Sequence, residues 1–229
     1  MANEIISYLE MCAREKTSLQ RGMNYCLAAN HSVILMSLRP NAPYDDDVRE
    51  DGSVLIYEGH DESRTGQTRE PKAVDQPEFT AHGRPTQNGL FHEAAQGTKR
   101  GVRVPERVRV YEKLRTGIWS YNGVFHLVDS WLADSGRRKV FKFKLVAVEG
   151  DEDLDAPVPR KPSRGRIIPA HVKQEVWKRD SGKCVQCGAT DELHFDHIVP
   201  VSKGGTSMVA ENVQLLCARH NLEKSAKIV

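Results

Sequence analysis

The chain has 229 residues, 39% of them hydrophobic, and balances 33 Lys and Arg against 31 Asp and Glu for a net charge of +2. That length leaves room for two modest domains, and without an apolar run long enough to span a bilayer or a signal-peptide pattern, a soluble, cytoplasmic chain free of membranes is expected. Five cysteines, an odd number, argue against a disulfide framework and for a reducing compartment. The charge is uneven: residues 1–150 carry +1, residues 151–159 carry −4 and residues 160–229 carry +5, so the C-terminal portion is the one suited to phosphate.

In chain order, residues 4–20 read as a helix with Ile5, Leu9, Cys12 and Leu19 on one face. Ser32–Leu38 and Ser53–Tyr57 are continuous apolar runs of the buried-strand type. Val102–Val104, Val108–Val110, Val124–Val128 and Val140–Val146 alternate with a period near two, and Gly and Asn punctuate the gaps. Such a run of short strands predicts an α+β domain built on a small β-barrel or strongly curved sheet with flanking helices. The polar loop between Gly59 and Glu78 carries Arg64 and Arg69. His82 and His92 have no partner at ligand spacing and read as structural or exposed. Residues 149–165 are acidic, then proline-rich, then basic, without apolar periodicity. The expected division is therefore a domain over 1–149, a flexible linker over 150–166 and a second domain over 167–229. Residues 169–180 open the latter with a helix whose Lys173, Lys178 and Arg179 either meet phosphate or form a solvated face.

Beyond that helix, Cys184-x2-Cys187 and Cys217-x2-His220 provide two close pairs of soft ligands. One tight turn can offer each pair to one tetrahedral Zn2+, and with all four positions filled such an ion is structural. Asp196-His197, Asn212 and Asn221 lie outside that shell, which leaves a second metal site as their natural explanation.

The ordered text Cys184-Val-Gln-Cys187-Gly188, Phe195-Asp196-His197-Ile198-Val199-Pro200, Lys203-Gly204-Gly205 and Asn212 through Ser225 resembles the HNH, or ββα-metal, nucleases over residues 170–226. The resemblance implies that His197 is the general base, that Asp196 and Asn221 hold a catalytic divalent cation, and that Asn212 orients the His197 ring. Asn221 stands where many relatives have a metal-binding His, and His220 takes the place of a fourth zinc cysteine. The chemistry is consistent. A neutral imidazole can take a proton from water near pH 7. Oxygen ligands suit Mg2+ or Mn2+, which polarise a phosphate and stabilise the departing oxygen.

Upstream, Pro43-Tyr44-Asp45-Asp46-Asp47-Val48 with Asp51 through Gly59, Asp75-Gln76 with Thr86 through Leu90, and Tyr121-Asn122-Gly123 through Trp131 together resemble the SRA (YDG) domain. That fold reads 5-methylcytosine by flipping it out of the duplex. Asn122 replaces the Asp of the name-giving triplet. The resemblance implies that Tyr44 and Tyr57 stack on the flipped base and that Asp47 accepts from the cytosine amine. Asp45 and Asp46 read as solvated loop. The joint expectation is an endonuclease acting on double-stranded DNA that carries 5-methylcytosine or 5-hydroxymethylcytosine. The tether would put cleavage at a loose distance from that base. HNH modules cut one strand per site, so a homodimer is expected for double-strand breaks. Two rivals are a reader that does not cut and an HNH nuclease without modified-base selectivity.

Overall fold

The computed structural model describes residues 3–28, 30–39, 41–61, 70–148 and 167–224. The linker expected over 150–166 and the loop arginines Arg64 and Arg69 lie outside the described residues. The elements are β1 (Glu4–Ser7), α1 (Tyr8–Arg14), β2 (Met23–Ala28), β3 (His31–Met36), β4 (Asp47–Arg49), β5 (Val54–Glu58), α2 (Gln87–Lys99), β6 (Glu106–Arg115), β7 (Ile118–Asp134), β8 (Lys139–Ala147), α3 (Ala170–Arg179), β9 (Leu193–His197), β10 (Val213–Cys217) and α4 (Ala218–Lys224). The fold is α+β. Hydrogen-bonded strands run in the order β10-β9-β1-β7-β6-β3-β2, while β8 pairs with β7, β5 with β8, and β4 with β5. Only the β3/β6 pairing is parallel among the strand pairs described. No helix among the described residues is long and apolar enough to cross a membrane.

Ser7 decides the first boundary. Its hydroxyl accepts from Glu10 N–H while the Glu10 carboxylate accepts from Ser7 N–H at 2.7 Å, a reciprocal capping box that fixes a helix start. The helix expected over 4–20 is therefore confined to Tyr8–Arg14, and Leu9 is 77% exposed. The β-branched Ile5 and Ile6 ahead of it form β1, which pairs with β7 through Ile5↔Ser120 and Ile6↔Trp119 and meets β9 at Glu4↔His194. The strands expected near 32–38, 53–57, 108–110, 124–128 and 140–146 are present. Val102–Val104 is not a strand: it lies in the turn after α2, with both valines exposed. Helix α2, capped by Thr86, packs Phe91 edge-on against Tyr25 and Phe143.

Tyr121-Asn122-Gly123 makes a bulge. Val110 faces Gly123 while Tyr111 faces Tyr121, so Asn122 is the extra residue, and a bulge re-aims the side chain it carries. Asn122 is fully buried. Its amide donates to Glu112 at 3.3 Å, and its carbonyl accepts from Ser120 Oγ at 3.1 Å and from Lys173 Nζ at 2.8 Å. Lys173 also donates to Glu112 at 2.5 Å, with both side chains 0% exposed. Lys173 is thus neither a phosphate contact nor a solvated charge. Helix α3 drives it into the flank of β6 and β7. Burial holds its pKa below the ordinary lysine value, with Glu112 acting in the opposite sense.

The two halves of the chain meet closely. Adjacent residues plug different cores: Ile167 joins Met23, Leu55, Tyr57, Phe91 and Phe143, whereas Ile168 joins Val172, Val176, Phe195, Val213 and Leu215. Ile167 N–H donates to Gly52 O at 2.8 Å. Gly52 has φ +87°, and a Cβ there would lie 2.2 Å from Ile167 O, so glycine is required for the approach. Residues 167–224 therefore dock on the sheet instead of swinging from it.

Candidate functional site

The soft-ligand cluster is assembled as its spacing implies. Gly188, at φ +75°, closes the turn after Cys184, with Gly188 N–H donating to Cys184 O and Val185 N–H to Leu215 O, which ties the turn to β10. Cys217 ends β10 and His220 lies in α4. The four ligand atoms of Cys184, Cys187, Cys217 and His220 lie within 4.8 Å of one another. Cys187 Sγ and Cys217 Sγ are 3.8 Å apart, and His220 Nδ1 is 3.3 Å from Cys184 Sγ and 3.5 Å from Cys217 Sγ. Burial pushes the Cys184 thiol up, but hydrogen bonds from backbone N–H groups of Cys217, Gln186 and Cys187 and from the His220 ring outweigh it and bring it down to about 6. Cys12 is half-buried and Cys26 exposed.

Asp196 and His197 end β9, beside β10. Asp196 Oδ2 accepts from Lys224 Nζ at 2.8 Å and from Gln214 at 3.3 Å, and Lys224, 1% exposed, also reaches His197 O at 2.5 Å. Among the described residues Oδ1 of Asp196 accepts no hydrogen bond. His197 Nε2 lies 2.9 Å from Ser207 Oγ, and Ser207 is fully buried. Asn212, expected to orient the His197 ring, bonds the loop that follows β9. Its side chain accepts from Val199 N–H at 2.8 Å and donates to Val199 O at 3.1 Å and Thr206 O at 2.9 Å, clamping the loop that carries Ser207. A Cβ at Gly205 would lie 1.8 Å from Val199 O, so the clamp needs glycine there. Asn221 lies half-buried on α4. Arg179 is spent on Asp180 and on the carbonyls of Ala210 and Val213.

A second region opens around Tyr44. Two adjoining clefts of about 530 and 520 Å³ share Ser37, Arg39, Pro43, Tyr44 and Asp46 in their walls, within the roughly 300–1,000 Å³ typical of ligand pockets. The residues expected to form one pocket are distributed differently. Tyr44 lines both clefts, but Asp47 points outward and pairs with Arg49 at 2.6 Å, 48% exposed. Side chains alternate along a strand, so Asp46 and Val48 face inward where β4 pairs with β5. Asp46 is therefore no solvated loop residue: it accepts from Ser37 N–H at 3.2 Å and Glu58 N–H at 3.0 Å, and burial pushes its pKa up to about 7. Tyr57 is 1% exposed in the core, its hydroxyl donating to Gly22 O and Leu35 O and lying 3.0 Å from His60 Nε2.

His60, not singled out from the sequence, takes the second aromatic place. Its ring stacks on Tyr44 with centroids 5.1 Å apart and planes at 10°. Burial lowers its pKa to about 4, which keeps it neutral. Gln76 and Asn88 cradle the segment: Asn88 bonds both His60 N–H and His60 O at 2.8 Å, Gln76 bonds Gly59 O at 2.7 Å, and a Cβ on Gly59 would strike both side chains. Lys72 Nζ sits 4.2 Å from the centre of the Tyr44 ring and 3.0 Å from Asp61.

Residues 184–227 match the family model described as HNH endonuclease. The chain is 28% identical over 153 residues to the histone-lysine N-methyltransferase family member SUVH2 of Arabidopsis thaliana, covering 65% of this chain and 22% of that protein. It is 28% identical over 134 residues to SUVH9 of the same plant, covering 58% and 19%. The chain thus spans about a fifth of the length of these curated relatives. Among solved structures, it is similar to the SRA domain of SUVH5 in complex with hemimethylated CG DNA, at 23% identity and TM-score 0.43, over 66% of this chain and 90% of that one. It is also similar to the type IV phosphorothioation-dependent restriction endonuclease ScoMcrA, at 16% identity and TM-score 0.43, over 99% of this chain and 55% of that one.

Proposed function

We propose that this chain is a modification-dependent DNA endonuclease: residues 1–149 read 5-methylcytosine or 5-hydroxymethylcytosine flipped from the duplex, residues 150–166 link, and residues 167–229 hydrolyse nearby phosphodiester bonds. The observation that carries the reading is the Asp196-His197 pair, set on β9 beside a Cys3His cluster inside the segment that matches HNH endonucleases. His197, whose Nε2 lies 2.9 Å from Ser207 Oγ, is the residue that takes the proton from water. Asp196 and Asn221 would hold Mg2+ or Mn2+ through oxygen, and such an ion would supply charge neutralisation at the phosphate and the departing oxygen. Lys224 holds Oδ2 of Asp196 and aims the carboxylate.

Zinc is the metal that fits the Cys3His cluster. Bonds of ~2.3 Å to sulfur and ~2.0 Å to nitrogen at the tetrahedral angle put two sulfurs about 3.8 Å apart and sulfur and nitrogen about 3.5 Å apart, against 3.8 Å and 3.3–3.5 Å here. With all four positions filled, such an ion would be a staple for a segment too short to build a large core.

At the other site, Tyr44 offers a stacking face worth about 1–3 kcal/mol to a flipped base, and a base taking the Lys72 side of the ring displaces that ammonium. Asp46 is the inward carboxylate. Ionised, it accepts from the cytosine amine; as the acid, its O–H donates to the ring nitrogen beside that amine. Asp46→Ala is therefore expected to weaken binding of methylated duplex by about 10–100-fold, the worth of a hydrogen bond to a charged group, while Asp47→Ala leaves it nearly intact. Competitive gel shifts measure this, and the reverse pattern would return the role to Asp47.

The function itself is tested by incubating the protein with Mg2+ or Mn2+ and matched plasmids, one unmodified and one carrying 5-methylcytosine throughout. Cutting confined to the methylated plasmid is expected. Equal cutting of both discards the base reader, and tighter binding to the methylated plasmid without cutting discards the nuclease.

A further inference from the structure

The turn between β4 and β5 has an unusual backbone. Glu50, Asp51 and Gly52 all have positive φ, at 50°, 53° and 87°. Left-handed conformations at non-glycine residues cost of order 1–3 kcal/mol each and persist where the surroundings hold them, commonly at working sites. Here the surroundings are the other half of the molecule. Gly52 O accepts from Ile167 N–H at 2.8 Å. Asp51 Oδ1 accepts from Thr206 Oγ1 and from Ser207 N–H, both at 2.8 Å. Ser207 Oγ in turn lies 2.9 Å from His197 Nε2. The loop from Val199 to Ser207 is thus clamped from two directions, by Asn212 within its own half and by Asp51 across the junction.

We propose that Asp51 is a positioning residue for hydrolysis: the cytosine-reading half of the molecule completes the nuclease site by holding Ser207, which holds the His197 ring. This rests on the proposed nuclease reading of His197 and extends it. Asp51 touches no reacting atom. It belongs to the turn that leaves β4, the strand that follows Asp46 in the cleft wall, so a shift of β4 on base entry reaches the imidazole through the Ser207 backbone N–H and the Ser207 hydroxyl. Outer partners of this kind change activity by about 10–100-fold when removed.

The test uses the full chain, as wild type, Asp51→Ala, Asp51→Asn, Ser207→Ala and the double Asp51→Ala/Ser207→Ala. Four quantities are read: the single-turnover cutting rate on methylated duplex, the Kd for that duplex with Ca2+ replacing Mg2+, the Tm, and the ring nitrogen resonances of His197. Asp51→Ala is expected to lose about 10–100-fold in rate with Kd unchanged, with the chain still folded at the assay temperature and with the His197 resonances shifted. Asp51→Asn, which keeps an oxygen able to accept both bonds, should recover most of the rate. The double variant should be no slower than Ser207→Ala alone, because residues acting in one chain are not additive. An unaltered rate in Asp51→Ala, a loss that Ser207→Ala compounds, or a loss accounted for by unfolding at the assay temperature or by lower DNA affinity would overturn the proposal. If the wild type itself does not cut, the nuclease reading falls, and the His197 resonances alone decide whether Asp51 sets that ring: a shift in Asp51→Ala supports it and no shift overturns it.

Discussion

Exchanging His197 for Ala is expected to slow hydrolysis of methylated DNA by about 10²–10⁴-fold, the usual contribution of a positioned general base, while leaving affinity for that DNA within a factor of two or so. The asymmetry follows from where things are. The Tyr44 cleft is walled by residues of the N-terminal half, and His197 lines neither part of it. The substitution takes away the proton acceptor, spares the Cys3His staple, and leaves the Asp196–Lys224 pair in place. Single-turnover cutting and gel shifts on the same duplex measure the two quantities separately. A residual rate within tenfold of wild type would mean that another group activates the water.

Lys173→Ala should have the largest effect on stability, about 3–5 kcal/mol, the cost of stranding a buried charge by removing its partner. Among the described residues, Glu112 is 0% exposed and its Oε1 has no hydrogen-bond partner, and without the ammonium Oε2 keeps only the Asn122 amide at 3.3 Å. Because Lys173 comes from α3 and Glu112 from β6, the loss falls on the junction between the halves. Urea unfolding followed through tryptophan fluorescence reads it: Trp177 lies on α3 and Trp119 on β7. Replacing both partners with apolar residues of similar size, Lys173→Met with Glu112→Leu, should recover most of the loss, since a well-packed apolar pair often matches a buried ion pair. A cost under about 1 kcal/mol for Lys173→Ala would show that water reaches Glu112 once the lysine is gone.

What the sequence made legible was local. The metal cluster follows from ligand pairs three positions apart, α3 from apolar residues four apart, and the strands from apolar runs that needed no partner to be noticed. Where the reading failed, the deciding partner was distant. Ile5 and Ile6 look helical until β7 is there to pair with them, although the Ser7/Glu10 capping box was a signal that α1 starts after them. Helix α2 could have been found from Phe91, Ala94 and Ala95, which line its buried face. Asp46 and Asp47 are indistinguishable until the β4/β5 register turns one inward and the other out. Lys173 among the charges of an amphipathic helix carries no mark of its burial. Its one hint was Asn122 in place of an aspartate: with Glu112 present, one ammonium balances one carboxylate, and a second acid would leave a buried charge unmatched. Ser207 and Asp51, more than 150 residues apart, had no signal at all.

Strand β1 has a consequence for how the chain is made. It is made before both of its partners: its pairing with β7 becomes available when Ile118–Asp134 emerges, but Glu4 meets His194 only once β9 exists. At ~5–20 residues per second, the far edge of β1 waits several seconds after β7 has docked, with its backbone groups open to any passing strand. Such an edge is a template for association between nascent chains, and charge is one of the devices that blunt it. Glu4, bonded to Arg14 at 2.9 Å, places that charge on the strand while it stands unguarded. A ribosome that stalls before Leu193 would release a chain whose sheet ends in an open seam.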